Sequence, residues 1–226
     1  MSSGAYHKSR LTYDARRETL WSALWRFYFS RLIRPEDTVL EFGAGYGHFI
    51  NNVVARRRIA IDLWPEFTKY LAPEVEGLVG GIERLEEIED GTLDFVFASN
   101  VFEHLTQPEL SDVLAILRRK ICAGGILSAL QPNFRYAYRE YFDDYTHVTV
   151  YTHVSLADFL NARGFEVVDV QPRFLPLTIK SRFPISPYLI WLYLLSPVKP
   201  FGKQMLICAK PRELDGMTSH AAEAPE

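Results

Sequence analysis

Cysteine is scarce in this sequence, and no hydrophobic run is long enough to cross a membrane. The 226 residues include two cysteines, Cys122 and Cys208, too far apart to form a metal-binding or redox pair. This scarcity is typical of a reducing compartment. No segment reaches the ~20 consecutive apolar residues of a spanning helix, and residues 1–20 lack the apolar core of a secretion signal. We therefore expect a cytoplasmic protein, at most peripheral to a membrane.

An excess of positive charge is also lacking. The chain has 25 Lys and Arg against 28 Asp and Glu, a formal net charge of -3. Proteins that bind nucleic acid broadly need basic side chains to neutralise phosphates, so this balance favours a small-molecule partner. With 48% hydrophobic residues, a chain of this length can bury one sizeable core, which predicts a single domain.

Apolar runs alternate with helical patterns along most of the chain, and this alternation predicts the fold class. Strands separated by helices imply crossover connections, and therefore an α/β, Rossmann-like, doubly wound and mostly parallel sheet. The predicted strands are 38–42, 58–62, 77–80, 93–98, 125–130, 165–170 and 204–209. The predicted helices are 16–33, 47–55, 65–71, 108–120 and 155–163, with Ser155 as the cap of the last one and Gly164 at its end.

These elements also predict how the single domain is organised. Residues 1–35 supply an N-terminal helical segment, and 36–211 form the main α/β unit. An apolar insertion at 174–202 precedes the last strand, and the tail 212–226 has little to pack and is predicted to be disordered.

A glycine-rich turn follows the first predicted strand. Gly43, Gly45 and Gly47 lie directly after it, and Glu41 lies inside it. Glycine permits a tight turn and close approach of the backbone to a ligand, which favours a nucleoside-binding site over a purely structural turn. The spacing is G-x-G-x-G, whereas a nicotinamide-dependent oxidoreductase predicts G-x-G-x-x-G. Asp62 ends the next strand, where a carboxylate either binds ribose hydroxyls or simply faces solvent.

Together with the stretch from Asp94 to Leu105, which reads DFVFASNVFEHL, these motifs resemble the class I S-adenosylmethionine-dependent methyltransferases. The resemblance covers about residues 36–210, and within the family it is nearest the type 11/23 branch that includes enzymes of bacterial glycan or natural-product biosynthesis. It implies a seven-stranded sheet whose last strand is antiparallel. It also implies S-adenosylmethionine as cofactor and S-adenosylhomocysteine as product.

The resemblance assigns residues to the donor pocket one by one. Glu41 and the glycines contact the methionine moiety and ribose, Asp62 the ribose hydroxyls, and Leu63 or Trp64 the adenine. The complete predicted set is Glu41, Gly43, Ala44, Gly45, Asp62, Leu63, Ile82, Glu83 and Asn100. The family often has an Asp at the adenine edge after the third strand. This sequence has none there, and Glu83 is the substitute.

Methyl transfer to a hydroxyl needs a base near the acceptor, and histidine suits neutral pH. His147 is the preferred base, with Asp144 or Asp143 as its orienting partner, and His104 is the second candidate. Alternatively, His147 bonds a loop carbonyl and His104 has a scaffold role. No compact metal-binding spacing is present, so we expect no metal, although these side chains include metal-ligand types. The aromatic and arginine-rich stretch 131–142 is either a recognition surface or a packed lid.

Within the insertion, residues 183–197 are strongly apolar and are flanked by basic side chains. They predict either a helix packed against the sheet or a second subunit, as in a homodimer, or a cap that contacts a membrane or a lipid-linked substrate. The leading hypothesis for the chain is O-methylation of a sugar or secondary metabolite. The alternatives are N- or C-methylation of a small metabolite, and a non-catalytic scaffold that retains the fold.

Overall fold

The computed structural model describes residues 13–176 and 186–212, and their seven strands form one sheet of order β3-β2-β1-β4-β5-β7-β6. The strands are β1 (Thr38–Phe42), β2 (Arg57–Asp62), β3 (Val75–Val79), β4 (Leu93–Ser99), β5 (Ile121–Pro132), β6 (Phe165–Pro176) and β7 (Gly202–Pro211). β7 runs antiparallel to both neighbours, β5 and β6, while the other pairings are parallel. The predicted doubly wound sheet with an antiparallel last strand is confirmed.

Helices cover both faces of the sheet. They are α1 (Ala15–Phe27), α2 (Glu83–Glu86), α3 (Gln107–Lys120), α4 (Phe134–Ala137), α5 (His153–Ala162) and α6 (Pro187–Leu195). Single 3-10 segments lie at Phe29–Arg31, Ile50–Asn52, Pro65–Tyr70, Phe102–His104 and Tyr141–Asp143. One apolar core joins α3 and α5 to the sheet through Leu114 and Leu160, and a second joins α1 to the opposite face through Leu24. The domain is therefore three-layered.

Side-chain caps fix where the two long helices on the first face begin. Thr106 and Glu109 form a reciprocal capping box at the start of α3. Thr152 caps α5 and accepts from the N–H of Ser155, which completes a second box. The prediction that Ser155 is the cap was wrong, because the helix begins two residues earlier and Ser155 lies in its first turn.

Two predicted helices proved shorter and tighter. The segment 47–55 contains only the 3-10 turn Ile50–Asn52, because Gly45 and Gly47 adopt positive φ angles of 54° and 65° that an α-helix does not allow. The helix predicted at 65–71 is the 3-10 segment Pro65–Tyr70.

The observed end of the first helix and the observed start of the insertion also differ from the predicted ones. α1 ends at Phe27, well before the predicted residue 33. β6 continues to Pro176, so the buried residues Phe174 and Leu175 belong to the sheet and not to the insertion. The predicted tail lies almost wholly outside the described residues, as does the stretch 177–185. Across the two described ranges, no helix is long and apolar enough to cross a membrane.

Candidate active site

The glycine-rich turn leaves β1 at the carboxyl edge of the sheet and folds over the end of β2. The backbone N–H groups of Gly43 and Ala44 both donate to the carbonyl of Ile61, at 2.8 and 3.1 Å. Gly43 has a φ of 78°, and a Cβ at this position would overlap Cγ2 of Val101. Glycine is therefore required here by conformation and by close packing.

Asp62, the last residue of β2, organises this edge through both carboxylate oxygens. Oδ2 accepts from the N–H of Gly45 at 2.7 Å, and Oδ1 accepts from the N–H of Trp64 at 2.8 Å. One side chain thus connects the glycine-rich turn to the segment after β2. The sequence placed Asp62 at the strand end but could not show these two bonds.

Glu41 lies beneath the turn and is 3% exposed. Its Oε2 accepts from the N–H of Ile50 at 3.1 Å. Burial raises the pKa of Glu41 well above its usual value, an effect the Ile50 hydrogen bond opposes and the nearby Asp62 charge reinforces. A positively charged ligand beside such a buried carboxyl group favours its ionised form.

A second group of predicted donor residues lies after β3. Glu83 Oε1 accepts from the N–H of Gly81 at 2.8 Å, and this bond lowers the pKa of Glu83. A Cβ at Gly81 would lie 3.3 Å from Cδ2 of Leu63, which is 64% exposed. The structure therefore brings Leu63 and Glu83 to one small surface beside Ile82, which is partly buried against the core.

Asn100 occupies the turn after β4 with a φ of 54°, an uncommon conformation for a residue other than glycine. Its N–H donates to the carbonyl of Leu130, and its Oδ1 accepts from Nε2 of Gln204 at 2.9 Å. This strained turn is held from two other strands, β5 and β7. Such strain is often found where a backbone is shaped for a ligand.

An aromatic cavity of about 440 Å³ borders the turn on the side of α1. Tyr46, Trp64 and Tyr70 pack against one another there, with ring centroids 4.7 to 5.5 Å apart. Trp64 is 8% exposed and contributes to this packing, so Leu63 is the more accessible of the two residues considered for adenine contact.

The two candidate catalytic histidines come together although they are far apart in sequence. The ring centroids of His104 and His147 are 4.9 Å apart. Nδ1 of His147 lies 2.6 Å from the carbonyl oxygen of Tyr141, and because a carbonyl only accepts, Nδ1 carries the proton. The N–H and the hydroxyl of Thr146 both donate to Oδ1 of Asp144, at 3.0 and 2.5 Å.

Thr146 connects Asp144 to the other histidine. Its Oγ1 is 3.0 Å from Nδ1 of His104, and its carbonyl oxygen is 3.2 Å from the same nitrogen. Burial lowers the pKa of His104, and the nearby His147 lowers it further. An orienting bond from Asp144 or Asp143 to His147 stays a prediction.

Glu103 adds a carboxyl group that the sequence did not single out as a functional residue. It is fully buried, and burial raises the pKa of Glu103 to about 8. Ligand atoms of Glu103, His104 and His147 all lie within 4.8 Å of one another, a set that could hold a metal ion. The sequence signal was an acid directly before His104 in the motif that follows β4.

The aromatic stretch 131–142 has two environments. Tyr141 is buried, and its hydroxyl donates to the carbonyl of Thr149 at 2.5 Å, whereas Tyr138 and Phe142 are more than half exposed. Arg139 lies over the ring of Tyr138. The stretch therefore anchors one side in the domain and presents aromatic and basic groups on the other.

Part of the chain is similar to a known domain family. Residues 40–129, from β1 into β5, match the family model of a methyltransferase domain. This part of the chain contains the glycine-rich turn, Asp62, Glu83, Asn100 and His104. None of the curated proteins matches the sequence.

Solved structures confirm the fold over nearly the whole chain. A SAM-dependent methyltransferase from Archaeoglobus fulgidus is 21% identical, with a TM-score of 0.66 over 93% of this chain and 100% of its own. The Haloferax volcanii protein solved with the Trm112 methyltransferase activator is 16% identical, with a TM-score of 0.66 over 93% and 96% of the two chains. A geranyl diphosphate methyltransferase solved with SAM is 16% identical, with a TM-score of 0.58 over 84% and 85%. The chain therefore has the Rossmann-like methyltransferase fold.

Proposed function

We propose that this protein is an S-adenosylmethionine-dependent methyltransferase that acts on a small-molecule acceptor. The observation that carries the proposal is the unit formed by Glu41, the turn at Gly43 and Gly45, and Asp62, which lies within the matched methyltransferase domain. Ligands of open α/β sheets bind at this carboxyl edge.

The residues of this edge fit the proposed cofactor. S-adenosylmethionine supplies a methyl group on a positively charged sulfur, together with an amino group and a ribose. Buried Glu41 provides a negative charge for its cationic part, and Asp62 provides acceptors for ribose hydroxyls. The surface for the adenine consists of Leu63, Ile82 and Glu83. Ala44 and Asn100 are the remaining residues of the proposed donor pocket.

We further propose that the acceptor atom is a hydroxyl oxygen and that His147 removes its proton. Because Nδ1 of His147 is held by the Tyr141 carbonyl, Nε2 has the lone pair that takes the proton. The oxygen then gains the methyl group as the carbon–sulfur bond breaks, and no covalent enzyme intermediate is needed. Thr146 joins Asp144 to His104, and the negative charge of Asp144 favours a positive charge at this pair of rings. An amine or carbon acceptor depends less on this base.

Calorimetric titration with S-adenosylhomocysteine tests the donor site, with NAD as a control ligand. We expect micromolar binding that is lost in Asp62→Ala. Asp37→Ala is a matched control, because Asp37 also accepts a backbone N–H, from Arg34, but precedes β1 at the opposite edge of the sheet. Absence of binding by the folded wild-type protein would overturn the proposal and favour a scaffold that retains the fold.

Sugar nucleotides and lipid-linked saccharides are the first acceptors to screen, in line with the resemblance to glycan-associated enzymes. Methylated product that disappears with His147→Gln, while S-adenosylhomocysteine still binds, is the expected result. Product formed equally well by His147→Gln would contradict the assignment of the base.

The exposed face of α6 supports a proposal about where the acceptor resides. Ile190, Tyr193 and Leu194 pack against the core beside α1, while the opposite side leaves large apolar side chains exposed. These are Tyr188, Leu189, Leu192, Leu195 and Val198. We propose that this face contacts a lipid surface and so presents a lipid-linked acceptor.

Co-sedimentation with phospholipid vesicles tests the lipid contact. We expect the wild-type protein to sediment and the double variant Leu189→Gln, Leu192→Gln to remain in solution. The control double variant Val54→Gln, Val168→Gln changes two exposed apolar residues outside this face. It should sediment with the vesicles as the wild type does. Concentration-dependent dimers without vesicle binding would show instead that the face pairs two copies of the chain.

A further inference from the structure

Glu103, the middle residue of the 3-10 segment Phe102–His104, has 0% exposure. Neither carboxylate oxygen has a hydrogen-bond partner among the described residues. An isolated buried carboxyl is unfavourable, and most buried polar groups in proteins are satisfied. The described residues therefore provide no hydrogen-bond partner for the carboxyl group of Glu103.

The two neighbouring imidazoles are oriented in the same way by different groups. Nδ1 of His147 donates to the Tyr141 carbonyl, and Nδ1 of His104 donates to the Thr146 carbonyl and Oγ1. Thr146 Oγ1 can accept from His104 because its own proton goes to Asp144 at 2.5 Å. Each ring therefore keeps the lone pair on Nε2. Metal-binding histidines usually have their other ring nitrogen held by a carbonyl or carboxylate in this way.

We infer that Glu103, His104 and His147 bind a divalent transition-metal ion. Their ligand atoms lie within 4.8 Å of one another, so a small contraction brings all three to one ion. Two imidazoles and one carboxylate suit Zn²⁺ or Co²⁺, whereas Ca²⁺ and Mg²⁺ prefer sites made of oxygen atoms. Both histidines are partly exposed, which leaves a route for the ion and an open position for a water or hydroxyl ligand.

The inference stands on these three residues and does not depend on the proposed methyl-donor site. It does change the role of His147. Nε2 cannot hold an ion and accept a proton at the same time, so in the metal-loaded protein His147 is a ligand. The ion then promotes loss of the acceptor's proton by lowering the pKa of a bound hydroxyl. In the metal-free protein, His147 is the base.

Cobalt absorption spectroscopy on tag-free, chelator-treated protein tests the site directly. Co²⁺ bound through imidazole and carboxylate gives visible bands that report its ligands, and Zn²⁺ should abolish them by competition. We expect one bound ion per chain. Glu103→Gln and His147→Gln should each weaken binding by more than about tenfold, and Thr146→Val, which changes no ligand, should weaken it by about tenfold through His104.

Matched controls separate this site from other metal-binding groups. His153→Gln removes a partly exposed histidine at the start of α5, and Cys122→Ser removes the more exposed thiol; both should bind Co²⁺ as the wild type does. Circular dichroism and S-adenosylhomocysteine titration of the same samples report folding and the donor site separately. The inference would be overturned if the folded wild-type protein bound neither Co²⁺ nor Zn²⁺. It would also be overturned if Glu103→Gln, His147→Gln and Thr146→Val all bound the ion as the wild type does.

Discussion

The N–H of Gly45 donates to the carboxylate of Asp62 at 2.7 Å, so the glycine-rich turn and the end of the neighbouring strand form one hydrogen-bonded unit. The same carboxylate also holds Trp64. The acid that the resemblance assigns to a ribose therefore also shapes the backbone at this edge. Its removal has a structural consequence as well as a functional one.

Asp62→Ala should lower the free energy of unfolding by about 1–3 kcal/mol, because the N–H groups of Gly45 and Trp64 lose their acceptor. Urea denaturation measures the change. Asp37→Ala, which removes one such bond from an exposed site, should cost less. Equal losses of unfolding free energy in the two variants would show that the two Asp62 bonds stabilise the protein no more than the single Asp37 bond does.

Gly43→Ala should destabilise the protein by about 1–3 kcal/mol, since an L-residue at a φ of 78° is strained. The new methyl group also overlaps Val101. Adding Val101→Ala should recover only the steric part, which thermal unfolding of the single and double variants can separate. Full recovery would mean that the backbone conformation itself is not strained.

Glu41→Gln should stabilise the ligand-free protein increasingly as pH rises. The folded-state pKa of Glu41 is raised by burial, so the native state favours the protonated form. The contribution of Glu41 to stability is therefore complete at acid pH and declines as pH rises from the ordinary glutamate range towards the folded-state pKa. Gln has no such dependence and can still accept from Ile50.

Thermal unfolding of Glu41→Gln and wild type across this pH range measures the difference. A difference that does not change with pH would contradict the raised pKa. S-adenosylhomocysteine should bind the variant more weakly, because the carboxylate proposed to contact its methionine moiety is gone.

Thr152→Ala should cost about 1 kcal/mol, because it removes the side-chain cap of α5. Thr152→Ser keeps the hydroxyl and should retain most of the stability. Chemical denaturation of both variants checks the corrected start of the helix. Equal stability of the Ala and Ser variants would show that the cap hydroxyl contributes nothing.

The sequence predicted β1 and β4 well because they are short, largely apolar runs bounded by turn residues. β1 was predicted at its observed bounds, Thr38–Phe42. The 3-10 segments were overestimated as α-helices, since apolar spacing alone does not register the positive φ angles of Gly45 and Gly47. Pattern reasoning also missed Thr152, three residues before the expected cap Ser155.

The candidate site was predictable where its residues lie within one motif. Contacts between separate loops were not: nothing local indicates that His147 packs beside His104, or that the Tyr141 carbonyl orients it. The role of Glu103 could not be predicted, because the burial of its carboxyl group without a hydrogen-bond partner depends on the surrounding loops.

The bond from Gln204 to Asn100 has a consequence for the order in which the protein is made. The turn after β4 leaves the ribosome long before the residue that secures it, because β7 is inserted between β5 and β6 as the last strand of the sheet. Until then, the Leu130 carbonyl holds the strained backbone of Asn100 without the bond from Gln204. A nascent chain therefore carries the glycine-rich turn early but completes this edge only after β7 has been synthesised.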